Sequence, residues 1–141
     1  MTERQKLVDQ LVLHEGLRLT PYMDTVGKIT IGVGRNLSDR GLSSREVFDL
    51  LDHDLDECIT DLAGSFPWFT QLDAIRQRVV IDMRFNLGPA RFRTFKRVIT
   101  ALGAGDYAKA AGAMRNSLWY QQVKSRGGRL VQMMASGEDY I

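Results

Sequence analysis

Near the start of the chain, two carboxylates and a hydroxyl have the types and spacing for acid–base chemistry. Glu15 falls in the last turn of a helical pattern, where a negative side chain faces the negative end of the macrodipole at a cost of roughly a few tenths of a kcal/mol. Helix stability therefore does not account for it. Asp24 follows nine residues later, beyond Gly16 and Pro21, which let the chain turn back. Two carboxylates brought together across a cleft are what cleavage of a glycosidic bond needs. One, protonated, donates to the leaving oxygen; the other holds a water, attacks, or offsets charge developing on the sugar ring. Thr30 joins them through the turn near Gly27. With a loop centred there, Asp24 lies opposite Thr30 with Cβ atoms about 5 Å apart, and a two-residue slip leaves them diagonal neighbours on the same face. In either register the pair can grip one water. Counting on by twos, Thr30, Gly32 and Gly34 line a nearly bare face that an extended ligand could approach closely, while Ile29, Ile31 and Val33 line an apolar one directed at the core.

The elements that must position these residues follow from periodicity and punctuation. Residues 3 to 14 read as a helix with Leu7 and Leu11 on one face, stopped by Gly16. From Leu17 to Leu37 the period falls to about two, and Thr, Ile and Val accumulate. Ser43 and Glu46 form a capping box that opens a helix running to about residue 63. After a break at Gly64 to Pro67, the segment from Leu72 to Leu87 is apolar on more than one side, which marks a central helix ended by Gly88 and Pro89. Further helices are expected at residues 93 to 102, 106 to 115 and 126 to 135. The fold class is α+β, mostly helical, with one small hairpin.

Composition removes several function classes. A chain of 141 residues is expected to form a single domain over residues 1–141, and 44% apolar with 26% charged residues is too hydrophobic for a disordered chain. No apolar run is longer than three residues, so no transmembrane segment is present, and residues 1 to 10 show no secretory signal, so a cytoplasmic location is expected. One cysteine and two distant histidines point to neither an intramolecular disulfide nor a metal site. Charge is asymmetric: residues 1 to 71 carry 7 Lys/Arg and 12 Asp/Glu, residues 72 to 141 carry 12 and 5. The basic second half suits an anionic partner.

The stretches His14-Glu15-Gly16-Leu17-Arg18-Leu19, Tyr22-Met23-Asp24 and Thr30-Ile31-Gly32-Val33-Gly34 together resemble the signature of the phage-type lysozymes, the endolysin muramidases of tailed phages. Glu15, Asp24 and Thr30 match that family's E-x8-D-x5-T spacing. The likeness continues through Leu72-Asp73-Ala74, Met83 to Gly88, Ser117-Leu118-Trp119-Tyr120 and Arg126 to Arg129 in the family's order, and so covers nearly the whole chain.

The resemblance implies a two-lobed lysozyme-like fold, with a small lobe at about 15–50, a helical lobe at about 1–14 and 60–141, and the site in a cleft between them. It implies hydrolysis of the β-1,4 bond between N-acetylmuramic acid and N-acetylglucosamine in peptidoglycan. Glu15 would be the general acid, with Asp24 and Thr30 positioning water for an inverting displacement and no cofactor required. Arg126 matches an arginine that pairs with the glutamate, Phe85 and Asn86 fall on a helix lining the cleft, and Asn36, with Gly34, lies at its other wall. Partners would be the glycan strands, with no nucleic acid and no stable membrane insertion, and the expected state is a monomer. The enzyme would wait in the host cytoplasm for a holin before reaching the wall in the periplasm. His14 stands where an acid is familiar in the family, and Arg35 where a histidine is. The rival readings are a lytic transglycosylase, against which Asp24 and Thr30 argue, and a non-catalytic wall-binding or nucleic-acid-binding module resting on the basic second half.

Overall fold

The computed structural model describes residues 1–140. Its backbone groups into two compact units, Met1–Asp49 and the residues from Leu50 onward. Helix α1 (Glu3–Glu15) opens the first, with the Thr2 hydroxyl accepting from the Gln5 amide at 3.0 Å. Gly16 stops it at φ 79, and its amide returns to the Val12 carbonyl at 2.9 Å. In this grouping α1 falls with the sheet, where residues 1–14 were expected with the later helices.

The sheet has three antiparallel strands in the order β1 (Arg18–Met23), β2 (Ile29–Gly32), β3 (Arg35–Asn36), where one hairpin was expected. β2 ends at Gly32 because Gly32 (φ 68) and Gly34 (φ 67) enter the left-handed region and bend the chain straight into β3. The bare strand face thus does not extend to Gly34. Its burial also departs from simple alternation. Thr30, flanked by Tyr22 in β1 and Asn36 in β3, is only 4% exposed and is the one buried residue among positions 1–49, whereas Ile29 and Val33, near the ends of β2, stay open to solvent. A central-strand position covers Thr30 whatever its polarity.

Helix α2 (Ser44–Ser65) begins with the expected capping box: the Glu46 amide donates to Ser43 Oγ at 3.2 Å and the Ser43 amide to Glu46 Oε1 at 2.9 Å. Glu46 Oε2 also pairs with Arg35 at 2.6 Å, which ties β3 to the start of α2. The Arg35 guanidinium, with the Ser43 bonds, holds the Glu46 carboxyl down at about 2.

The second unit holds the hydrophobic core. α3 (Ala74–Leu87), capped by Asp73, is central as expected and buries Val79, Val80, Met83 and Leu87. A single 3-10 turn (Phe69–Gln71) precedes it. Around it stand α4 (Pro89–Phe92), α5 (Lys96–Gly103), α6 (Tyr107–Arg115), α7 (Leu118–Val123) and α8 (Ser125–Ser136). Phe92, Leu62, Trp119, Met114 and Leu130 complete the packing. α4 and α7 escape periodicity because each is a single short turn or two with one buried side chain, Phe92 or Trp119. No helix among the described residues is long and apolar enough to cross a membrane.

An ionic knot fastens α2 to the core. Asp61 Oδ2 accepts from Arg84 Nε at 3.0 Å and Oδ1 from Arg93 Nη2 at 2.6 Å, and the same Arg93 nitrogen donates to Ser65 Oγ. The Arg93 and Arg84 guanidiniums hold the Asp61 carboxyl down at about 2, against partial burial that opposes the charge. Replacing Asp61 by Ala strands two arginines, and the expected loss is about 2 kcal/mol at neutral pH in denaturant titration. Because the folded carboxyl is depressed, that stabilisation is present above the ordinary aspartate value of 3.8 and fades as pH falls toward about 2. The difference between wild type and Asp61→Ala should therefore shrink across that window.

Candidate active site

Each sequence-derived site residue has a definite place. Glu15 is the final residue of α1, held there by the Gly16 stop. Its carboxylate lies over Gly34: a Cβ on Gly34 would stand 2.9 Å from Glu15 Oε2 and 3.1 Å from Cδ. Gly34 is thus required twice, by its positive φ and by the acid seated on it. Its role is support for Glu15 rather than the open strand face that alternation suggested.

Asp24 sits just past β1, in the turn to β2. Its Oδ1 accepts from the Val26 amide at 3.0 Å and the Lys28 amide at 2.8 Å, while its own amide donates to the Lys28 carbonyl at 2.9 Å. One oxygen is thereby locked by the turn, and Oδ2 is left for other work. The strand register pairs Tyr22 with Thr30 and Met23 with Ile29, so Asp24 and Thr30 are diagonal neighbours on the same face, the slipped alternative of the two. The Thr30 hydroxyl donates to the Lys28 carbonyl at 3.1 Å, which leaves its lone pairs to accept. Lys28 therefore organises both residues through its backbone, a part that sequence reasoning assigned to no residue.

Asn36 has partners within its own turn. Its side chain closes a turn with Asp39, donating to Oδ2 at 3.1 Å and accepting from the Asp39 amide at 3.0 Å, and Asp39 in turn pairs with Lys28. Arg35, the departure from the familiar histidine, is the partner of Glu46.

The remaining three residues belong to the second unit. Phe85 is 42% exposed, an open ring on α3 and not the core side chain that its type alone suggests. Asn86 is turned inward by Trp119, whose indole N–H donates to Asn86 Oδ1 at 3.0 Å, so this amide secures a buried aromatic. Trp119 is buried in the core. Arg126, at the start of α8, holds Asp82 of α3 through both Nε and Nη2 on Oδ1. Asp82 was not singled out in the sequence; its only signal there is a carboxylate one helical turn before Phe85.

A family model described as phage lysozyme matches residues 12–135. The chain belongs to the phage lysozyme family. Among curated relatives, it is 28% identical over 93% of its length to the pre-baseplate central spike protein Gp5 of Enterobacteria phage T4, and that match spans only 28% of the spike protein. It is also similar to two probable T4-type lysozymes of Dictyostelium discoideum. The first is 27% identical over 92% of this chain and 93% of the relative, the second 25% identical over 93% and 94%. The matched span takes in both units, and with it every residue of the E-x8-D-x5-T spacing in a family of muramidase-type cell-wall hydrolases.

The seat of Glu15 gives a direct test. Gly34→Ala should cost about 1 kcal/mol from the left-handed backbone and, by pushing the carboxylate aside, lower kcat on peptidoglycan by about a hundredfold. Gly41→Ala is the control. Gly41 has a similar φ of 64, but a Cβ there would meet nothing closer than the Leu37 carbonyl oxygen at 4.0 Å, so this variant should lose stability and keep kcat.

Proposed function

We propose that this phage lysozyme family member hydrolyses the β-1,4 bond between N-acetylmuramic acid and N-acetylglucosamine in bacterial peptidoglycan, by inversion, as an endolysin. The observation that carries the reading is the division of labour in the first unit. Glu15 ends a helix with its carboxylate seated on a glycine, while Asp24 and Thr30 share a strand face with an oxygen on each left to accept. Glu15 protonates the leaving oxygen. Asp24 Oδ2 and Thr30 Oγ1 hold a water on the far side of the sugar, and Asp24 takes its proton as the bond to the anomeric carbon forms. Gly34 keeps the acid aimed; in the second unit, Phe85 presents an exposed ring suited to stacking on a sugar, and Arg126 is held by Asp82. Within their own units, Asn36 is fixed by Asp39 and Asn86 by Trp119. The chemistry uses side chains and water alone, with no cofactor.

In the host, the enzyme acts as a monomer, stays in the cytoplasm until a holin opens the membrane, and then attacks the wall from the periplasm. Its partner is the glycan strand, and no nucleic acid or membrane insertion is involved.

Digestion of purified peptidoglycan with mass analysis of the ends tests the reaction. Wild type should release reducing muramic ends, Glu15→Gln should lose about 10²–10⁴ in rate, and Asp24→Asn should lose a comparable factor. The asparagine keeps the acceptor for the Val26 and Lys28 amides, so its loss reports charge and not the turn. Anhydro-muramic ends that persist in Asp24→Asn would make the enzyme a transglycosylase; no cleavage by folded wild type would leave a binding module. The α-anomer as first product from a β-linked oligosaccharide, read by NMR, checks inversion.

A further inference from the structure

Between Leu87 and Gly137 the chain carries nine Lys/Arg and a single acid, Asp106. Among the described residues only two of the nine have a carboxylate partner, Arg93 with Asp61 and Arg126 with Asp82. Three of the others converge on one face of the second unit. Lys96 and Arg97 open α5 and line two neighbouring cavities, one of about 360 Å³ that includes Phe95, Val98 and Ser117, and one of about 180 Å³ completed by Thr100 and Lys109 of α6. The first turn of α5 has no side-chain cap, so its amides add to the positive field.

We propose that this α5–α6 face docks a water-soluble polyanion of the cell wall whose charges are phosphodiesters. The inference rests on the muramidase reading for the choice of wall polymer over other polyanions; the face itself is read from its own charges. Two cavities sharing one cationic pair fit two successive anionic groups of a chain better than a single small anion. Lysine ammoniums from α5 and α6 with an arginine fork from α5 suit a tetrahedral group with several acceptor oxygens. A membrane surface fits less well. Peripheral helices insert exposed apolar side chains, and here Val98 is buried while Phe95 and Ile99 are packed against the core, so none of the residues lining the two cavities is a large exposed hydrophobic one. Double-stranded nucleic acid would ask for base-reading amide side chains beside the cations, and the face adds only the Thr94, Thr100 and Ser117 hydroxyls.

The test uses the full chain and a fluorescent poly(glycerol phosphate) of defined length. Wild type should bind at low salt, with affinity falling linearly in log salt. The triple variant Lys96→Gln, Arg97→Gln, Lys109→Gln should bind about tenfold or more weakly, with the salt slope reduced by about 2. A second triple variant of equal charge, Arg115→Gln, Lys124→Gln, Arg129→Gln, should retain wild-type binding. Equal losses in both variants would reduce the effect to net charge and overturn the proposal. So would equal or tighter binding of poly-glutamate or duplex DNA at matched charge, or binding confined to vesicles of anionic phospholipid. Cleavage of a soluble, polymer-free glycan by the first triple variant should match wild type. If wild type cleaves no glycan yet binds the polymer through this face, the muramidase reading fails and the docking face stands.

Discussion

The seating of one carboxylate on one glycine is the contact on which the proposed chemistry depends. Glu15 reaches Gly34 only because three backbone conditions hold together. Gly16 must end α1 at that residue, β2 must stop at Gly32, and Gly34 must both turn the chain and lack a side chain. Each glycine is costly in the unfolded state, since it surrenders more backbone freedom than any other residue. Their combined effect is to replace flexibility in a long acidic side chain with a fixed aim. The turn at Asp24 works in the same way, using one carboxylate oxygen to order the loop and leaving the other for a ligand.

The chemistry and the stabilising contacts are distributed differently along the chain. Lys28 serves Asp24 and Thr30 through main-chain atoms, and Arg35 with Glu46 ties the last strand to the start of α2. From Leu50 onward the picture is conventional, with a central α3 ringed by short helices and fastened to α2 by Asp61, Arg84 and Arg93. In both parts, polar residues that the family likeness placed at the site also have structural partners. Asn36 is taken by Asp39, Asn86 by Trp119 and Arg126 by Asp82.

What could be read from the sequence was whatever short-range geometry decides. The helix stop at Gly16, the capping box at Ser43, the shared face of Asp24 and Thr30 and the centrality of α3 all depend on residues within a turn or two of one another. The family likeness added the roles, which spacing alone left open. What resisted reading depends on residues far apart in the chain. Gly34 as the seat of Glu15 spans 19 positions, and the Asp82 partnership spans 44. β3, with two residues, is too short to show a period, and the burial of Thr30 follows from having a strand on either side, not from its own chemistry.

The lone buried residue of the first 49 positions has a further consequence. A segment whose interior is one threonine has little apolar surface to lose on opening, so its amides rely on turns, caps and strand pairing for protection. In hydrogen exchange it should therefore behave as a separate foldon, opening far more often than the core around α3. The residues assigned to the chemistry then sit in the part of the molecule that fluctuates first, and heat or denaturant should silence the enzyme before it melts the protein.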